Sequence, residues 1–245
     1  MFLATHGVLR RESAYTPPVL SDIYSFEYDG VADVLDLGSV KPSGAMTISY
    51  WFKGRSTGGS VSMFGNSGNS GSRGYAMGVN NASLWYFQIA SSSTATKFTT
   101  YTFSNDLTKW YHLTGVYSPS NYVRLYIDGY QVSETTSGVP SSQYTGNSLT
   151  TKIGNRGDGG SFGRFIGVLD EPAIFDYAMT PAQVLSLYGT GVPTDISSLS
   201  PFGWWRAENG TWNGSNWSVT DLGSNASNAT SSSMTISSRV TDVPT

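Results

Sequence analysis

The chain has 245 residues, 13% of them aromatic and only 13% charged, with a formal net charge of -3 and no cysteine. That length supports one large β domain or two small ones around a sizeable core, while the missing cysteines exclude disulfides, thiolate metal sites and a cysteine nucleophile. No basic footprint invites nucleic acid, and no run approaches the roughly 20 apolar residues a membrane-crossing helix takes, so neither nucleic acid nor membrane is an expected partner.

Residues 1–21 read as an extended N-terminal arm, with Arg10, Arg11, Tyr15, Pro17 and Pro18 but no periodic pattern and no continuous apolar segment of the signal-peptide kind. Residues 24–28 alternate and end at Asp29-Gly30, a turn signal, and 33–37 form a second short strand. In 45–53, Met46, Ile48, Tyr50 and Phe52 share one face and Thr47, Ser49, Trp51 and Lys53 the other, which predicts a strand of a half-buried antiparallel sheet. The Gly/Ser/Asn-rich stretch 54–74 is loop around a short strand at 61–64, and strands follow at 75–79, 84–90 and 97–103. Within 84–90, Trp85, Tyr86 and Phe87 are consecutive, so at least one must point outward, and outward aromatic faces stack on sugar rings. Trp85 and Tyr86 are therefore candidate ligand-binding residues. Strands at 110–117 and 122–127 lead into Asp128-Gly129, a tight turn that returns the chain at 130–132. After a polar loop, 149–154 is again a strand.

Residues 163–191 pack a strand, a break and a capped helix together. The apolar run Phe165, Ile166, Val168, Leu169 is interrupted by Asp170, Glu171 and Pro172 and resumed by Ala173, Ile174 and Phe175. Proline donates nothing to a ladder, so Pro172 belongs at an edge or a bulge. Thr180 is the expected N-cap, with Pro181 opening the helix, Gln183 completing a capping box and Gly189 ending it. About a dozen strands in one unit require two packed sheets. The expected fold is all-β: a two-sheet antiparallel jelly-roll sandwich with one short helix.

The order of these signatures resembles the concanavalin A-like, laminin G-like jelly-roll family. Residues 26–38 (FEYDGVADVLDLG) resemble the family's opening, MTISYWFK its first long strand, WYHLTGVY and VRLYIDGYQV its central hairpin, and the segment from Lys152 to Tyr188 its closing motif. The resemblance covers residues 22–190. Residues 203–234 resemble a segment that usually precedes the family's opening, here at the other end of the chain. The extension 191–245 is thus a permuted first strand, with Trp204 and Trp205 in it, a truncated second repeat, or a segment that docks on a neighbouring subunit.

Enzymes of this fold need a pair of carboxylates at defined separation. The glutamates here are scattered at Glu12, Glu27, Glu134, Glu171 and Glu208, and adjacent Asp170 and Glu171 would point to opposite faces of a regular strand. No catalytic residues are expected. His112, in the family's own sheet position, reads as a hydrogen-bonded sheet histidine. The loop 155–162 is similar to the part of pentraxins that supplies calcium ligands, which makes Asp158, with Asn66 and Asn69 on a facing loop, the candidate calcium ligands and Asn155, Arg156 and Phe162 further candidate ligand-binding residues. The expected function is a non-enzymatic structural and binding protein. The resemblance to short phage proteins carrying this domain implies a decoration or fibre on a virion surface, with capsid neighbours or copies of itself as partners and a polysaccharide as a further one. The alternative is a free, extracellular carbohydrate-binding module or lectin assisted by calcium.

Overall fold

The computed structural model describes residues 20–56, 59–81, 83–160 and 164–245. Most of the expected N-terminal arm and the candidate Phe162 lie outside them. The described residues form sixteen strands, one α-helix and two 3-10 turns, an all-β sandwich of antiparallel strands. No helix among them is long and apolar enough to cross a membrane.

The first sheet is built on β3 (Met46–Ser56) and β12 (Phe165–Phe175), the two longest strands. Outward from β3 run β8 (Tyr111–Ser118), β9 (Tyr122–Ile127) and β10 (Tyr130–Thr135). The other edge of β12 is shared: its first half pairs with β1 (Ser25–Asp29), which carries β16 (Arg239–Val240) beyond it, and its second half pairs with the start of β13 (Gly203–Trp212). Strand β13 then leaves for the second sheet, where it pairs with β14 (Trp217–Asp221). That sheet continues through β15 (Ala229–Ser232), β2 (Val34–Asp36), β11 (Lys152–Ile153), β4 (Ser60–Gly65), β5 (Ala76–Asn80) and β6 (Leu84–Ala90) to β7 (Thr96–Thr102). Residues 203–232 therefore pair within their own chain, closing both sheets between β12 and β2.

The alternation in β3 places Met46, Ile48, Tyr50 and Phe52 in the core, none more than 1% exposed. Facing them from the second sheet are Val61, Met77, Val79, Trp85 and Phe87. Phe87 lies so close to β8 that a Cβ on Gly115 would fall 2.5 Å from its ring; only glycine permits this approach of the two sheets. The opposite face of β3 was expected to be solvated, and it is not: Thr47, Ser49 and Trp51 are buried too. A second apolar cluster of Phe175, Met179, Val184, Leu187, Ile196 and Trp204 covers that side, brought there by helix α1 (Pro181–Tyr188). The helix starts as expected, with Thr180 Oγ1 accepting from Gln183 N and Gln183 Oε1 accepting from Thr180 N. Its last residue, Tyr188, stacks on Trp51 with ring centroids 5.6 Å apart. The β9–β10 hairpin turns at Asp128 (φ +51°) and Gly129 (φ +78°), both left-handed as a two-residue type I′ turn requires.

His112 sits under the helix, fully buried, with Nε2 2.7 Å from Ser49 Oγ. Burial pushes its pKa down to about 3, so the ring is neutral in the fold. Because the folded value lies below the ordinary 6.5, protonation favours the unfolded chain: the contribution is complete above about pH 6.5 and is lost as pH falls toward 3. Urea denaturation across that window should show wild-type stability falling with acid and the His112→Asn variant falling less steeply.

The break in β12 is a bulge. The register against β3 shifts between Asp170 and Ala173, Glu171 takes φ +48°, and Pro172, with no N–H to donate, falls inside it as expected. The extra residue overturns the expectation that Asp170 and Glu171 diverge, since it turns both carboxylates toward one another's surroundings.

Candidate ligand groove on the outer face of the second sheet

Strand β6 alternates: Trp85, Phe87 and Ile89 point into the sandwich, while Leu84, Tyr86 and Gln88 stand on the outer face. Antiparallel pairing sets Tyr86 beside Thr100 and Gln88 beside Phe98 on β7, and Leu84 beside Asn80 on β5. These six side chains line a cavity of about 220 Å³. Phe98 is 53% exposed in it, a large apolar ring left open on an otherwise threonine-rich edge strand. Tyr86 is anchored by its hydroxyl, which donates to Val61 O at 3.1 Å, and the Gln88 amide donates to Ser67 Oγ and Gly74 O.

Tyr86 and Gln88 also line a smaller cleft that prolongs the groove toward Ser62, Ser67, Arg73 and Arg156. Ser62 is 2% exposed, and its Oγ and the Nε of Arg73 have no hydrogen-bond partner among the described residues. Buried polar atoms are nearly always paired, so two without a partner on residues that line this cleft set it apart from the rest of the sheet face. The groove and its cleft thus offer an apolar ring, a second aromatic held in place, two amides, hydroxyls and two guanidinium groups.

The expected site residues divide between this groove and the interior. Tyr86 and Arg156 are in the groove lining. Trp85 is not: it is 1% exposed, its ring 4.5 Å from that of Phe52, its Nε1 donating to Phe103 O, because residues one apart on a strand face opposite ways. Asn155 is 5% exposed and its Oδ1 accepts from Arg156 N, a loop-shaping bond.

The oxygens proposed for calcium are committed elsewhere. Asn66 is buried with Oδ1 accepting from Tyr75 N, and Asn69 Oδ1 accepts from Arg156 Nη2 at 2.8 Å. Asp158 accepts from Arg156 Nη2 at 2.6 Å, from Asn69 N and from Gly160 N. Burial raises the Asp158 pKa, but the bonds from Gly160 and Arg156 outweigh it and hold the carboxyl below its usual range. With Arg156 Nη2, Asn69 N and Gly160 N all on its two oxygens, Asp158 braces the loop 155–160 against Arg156 at the groove's end.

Phe98, Gln88, Asn80, Thr100, Arg73 and Ser62 were not expected from the sequence. Phe98 alone carried a signal, as an aromatic sharing its strand face with Thr96, Thr100 and Thr102.

The sandwich is similar to several solved structures. It superposes on a candidate carbohydrate-binding protein from Bacteroides ovatus ATCC 8483 with a TM-score of 0.64 at 15% identity, covering 92% of this chain and 62% of that one; this chain therefore spans less than two thirds of that protein. A sialidase CBM40 module of Ruminococcus gnavus, solved with α2,3 sialyllactose, gives 0.56 at 12% identity, covering 67% of this chain and 96% of the module. Domain 4 of the Geobacillus stearothermophilus arabinanase AbnA, solved with arabinotriose, gives 0.50 at 18% identity over 67% of this chain and 76% of that chain. At such identities these likenesses establish the fold alone. No curated protein sequence matches the chain. From Glu27 in β1 to Leu185 in α1, the sequence matches the laminin G-type family described as the Concanavalin A-like lectin/glucanases superfamily, and to that family the chain belongs.

Proposed function

We propose that the chain is a non-catalytic carbohydrate-binding module whose saccharide lies in the groove across β5, β6 and β7. The observation that carries this reading is Phe98, more than half exposed and flanked by Tyr86, Gln88 and Asn80. A pyranose or furanose has an apolar C–H face and a rim of hydroxyls, so it needs a flat apolar partner with amide and hydroxyl groups around it. The groove supplies that set. Its lining residues include no carboxylate, so a glycosidase's acid and nucleophile, which must flank the scissile bond about 5 to 9.5 Å apart, are missing from it. The similar folds solved with arabinotriose and sialyllactose support a saccharide as the ligand class.

The test is a glycan array followed by titration calorimetry on the best ligand. Phe98→Ala should weaken binding at least ~10-fold, equivalent to about 1.4 kcal/mol, and Gln88→Ala should weaken it less, both with unchanged melting temperatures. Saturable binding that ignores Phe98→Ala, or no glycan bound at all, would sink the reading.

A virion-surface role would have residues 191–245 bury surface against neighbouring chains. Residues 203–232 instead complete this chain's own sheets, which favours a self-contained module.

A further inference from the structure

On the other sheet, the bulge in β12 gathers charge. Asp22, from the segment that leads into β1, and Asp170 and Glu171, from the bulge, each present an oxygen within 4.8 Å of the other two. Glu208 of β13 adjoins them, with Oε1 accepting from Ile23 N and Tyr24 N at 2.9 Å each. Among the described residues one cation faces these four carboxyl groups: Arg206 donates through Nε to Glu171 Oε1 at 2.7 Å, its Nη2 lies 3.3 Å from Glu208 Oε2, and the same Nη2 donates to Ser21 O. Trp204 Nε1 donates to Glu171 Oε2.

What remains is unpartnered. Asp170 is 1% exposed, and its Oδ2 has no hydrogen-bond donor among the described residues. Both oxygens of Asp22 are likewise buried without a donor. Burying ionised carboxylates with no compensating charge is costly enough that they either keep their protons or take a cation.

We propose that Asp22, Asp170 and Glu171 bind a calcium ion that clasps the segment entering β1 to the bulge of β12. The donors are all oxygens, as a hard cation requires, and their mutual separations of up to 4.8 Å match two ligands about 2.4 Å from a common calcium. Magnesium, with bonds of about 2.1 Å and strict octahedral demands, suits that spread less well. The ion replaces the protons as the compensating charge, and water completes its shell. Each Glu171 oxygen accepts one hydrogen bond, from Arg206 or from Trp204, which fixes that carboxylate, and the oxygens without a donor are those of Asp170 and Asp22.

The site carries its own reporter, because the Trp204 indole is hydrogen-bonded to one of the ligands and can sensitise terbium emission. The full chain, stripped with a chelator and returned to near-neutral pH, should show terbium luminescence that calcium displaces, and millimolar calcium should raise the melting temperature by several degrees where magnesium raises it less. Asp170→Asn should abolish both responses without lowering the melting temperature of the metal-free protein, since it also removes a repulsive charge. If that variant fails to fold, Asp22→Asn, at the more exposed end of the cluster, should abolish them in its place. Identical melting with and without calcium, or terbium emission that survives both substitutions, overturns the proposal and leaves the carboxyl groups compensated by protons.

Discussion

A chain ending at Phe202 is expected to show no cooperative melting transition. The segment it lacks lies beyond the residues that match the family, yet it supplies Trp204, Trp205, Trp217, Val219, Ala229 and Met234, all buried. Trp205 meets Phe64 of the second sheet edge-on at 6.5 Å and donates through Nε1 to Ser227 O, while Trp217 meets Phe26 of β1 at 5.5 Å. Truncating one buried tryptophan costs about 3–5 kcal/mol, against a total stability of about 5–15 kcal/mol for an ordinary domain. Losing three, and with them the ladders that join β12 to β2, exceeds that reserve. The edges of β2 and of the second half of β12 would also be left unpaired, which favours aggregation. Calorimetry on the truncated chain decides the matter: a reversible, cooperative transition near the full-length temperature would mean that residues 22–202 fold alone and that the tail is an accessory after all.

Trp85→Ala is expected to lower stability by about 3–5 kcal/mol in urea denaturation, because the indole fills the space between Phe52 and Phe103 and donates a hydrogen bond to Phe103 O at 2.8 Å. Phe98→Ala, on the neighbouring strand and the opposite face, should change stability by no more than about 0.5 kcal/mol while removing the platform of the groove. The two substitutions therefore separate core from site. A Trp85→Ala protein that unfolds normally but no longer binds saccharide would return that residue to the ligand and overturn the assignment of the two faces of β6.

Much of this architecture was legible from near neighbours in the chain. The period-two pattern in β3 placed Met46, Ile48, Tyr50 and Phe52 inside, Asp128-Gly129 marked the hairpin, Thr180, Pro181 and Gln183 marked the helix start, and Pro172 marked the bulge. Each of these is decided by backbone dihedral preference or by side-chain alternation over a few residues. The short strands β14 and β15 left no comparable trace: rich in serine and threonine, they are strands because β13 and β2 lie beside them, and the two-residue β16 is one because β1 does.

The candidate site was legible only in its composition. An aromatic run with one member outward was visible at residues 85–87, but which member faces out depends on which face of β6 the other sheet covers, and it selected Tyr86 over Trp85. That Phe98 and Gln88 would meet is a matter of cross-strand register. The acidic loop residue Asp158 read as a metal ligand until Arg156 and the Asn69 amide were seen to occupy its oxygens, whereas Asp170 and Glu171 read as divergent until the bulge turned them toward Asp22, about 150 residues earlier in the chain. The sequence by itself determined the fold class and the local turns and caps, because short-range periodicity and backbone chemistry encode them. Only the tertiary structure decided where the C-terminal tail pairs, which side chains share the groove and which carboxyl groups share a pocket, because those are contacts between residues far apart in the chain, set by sheet register and by what covers each face.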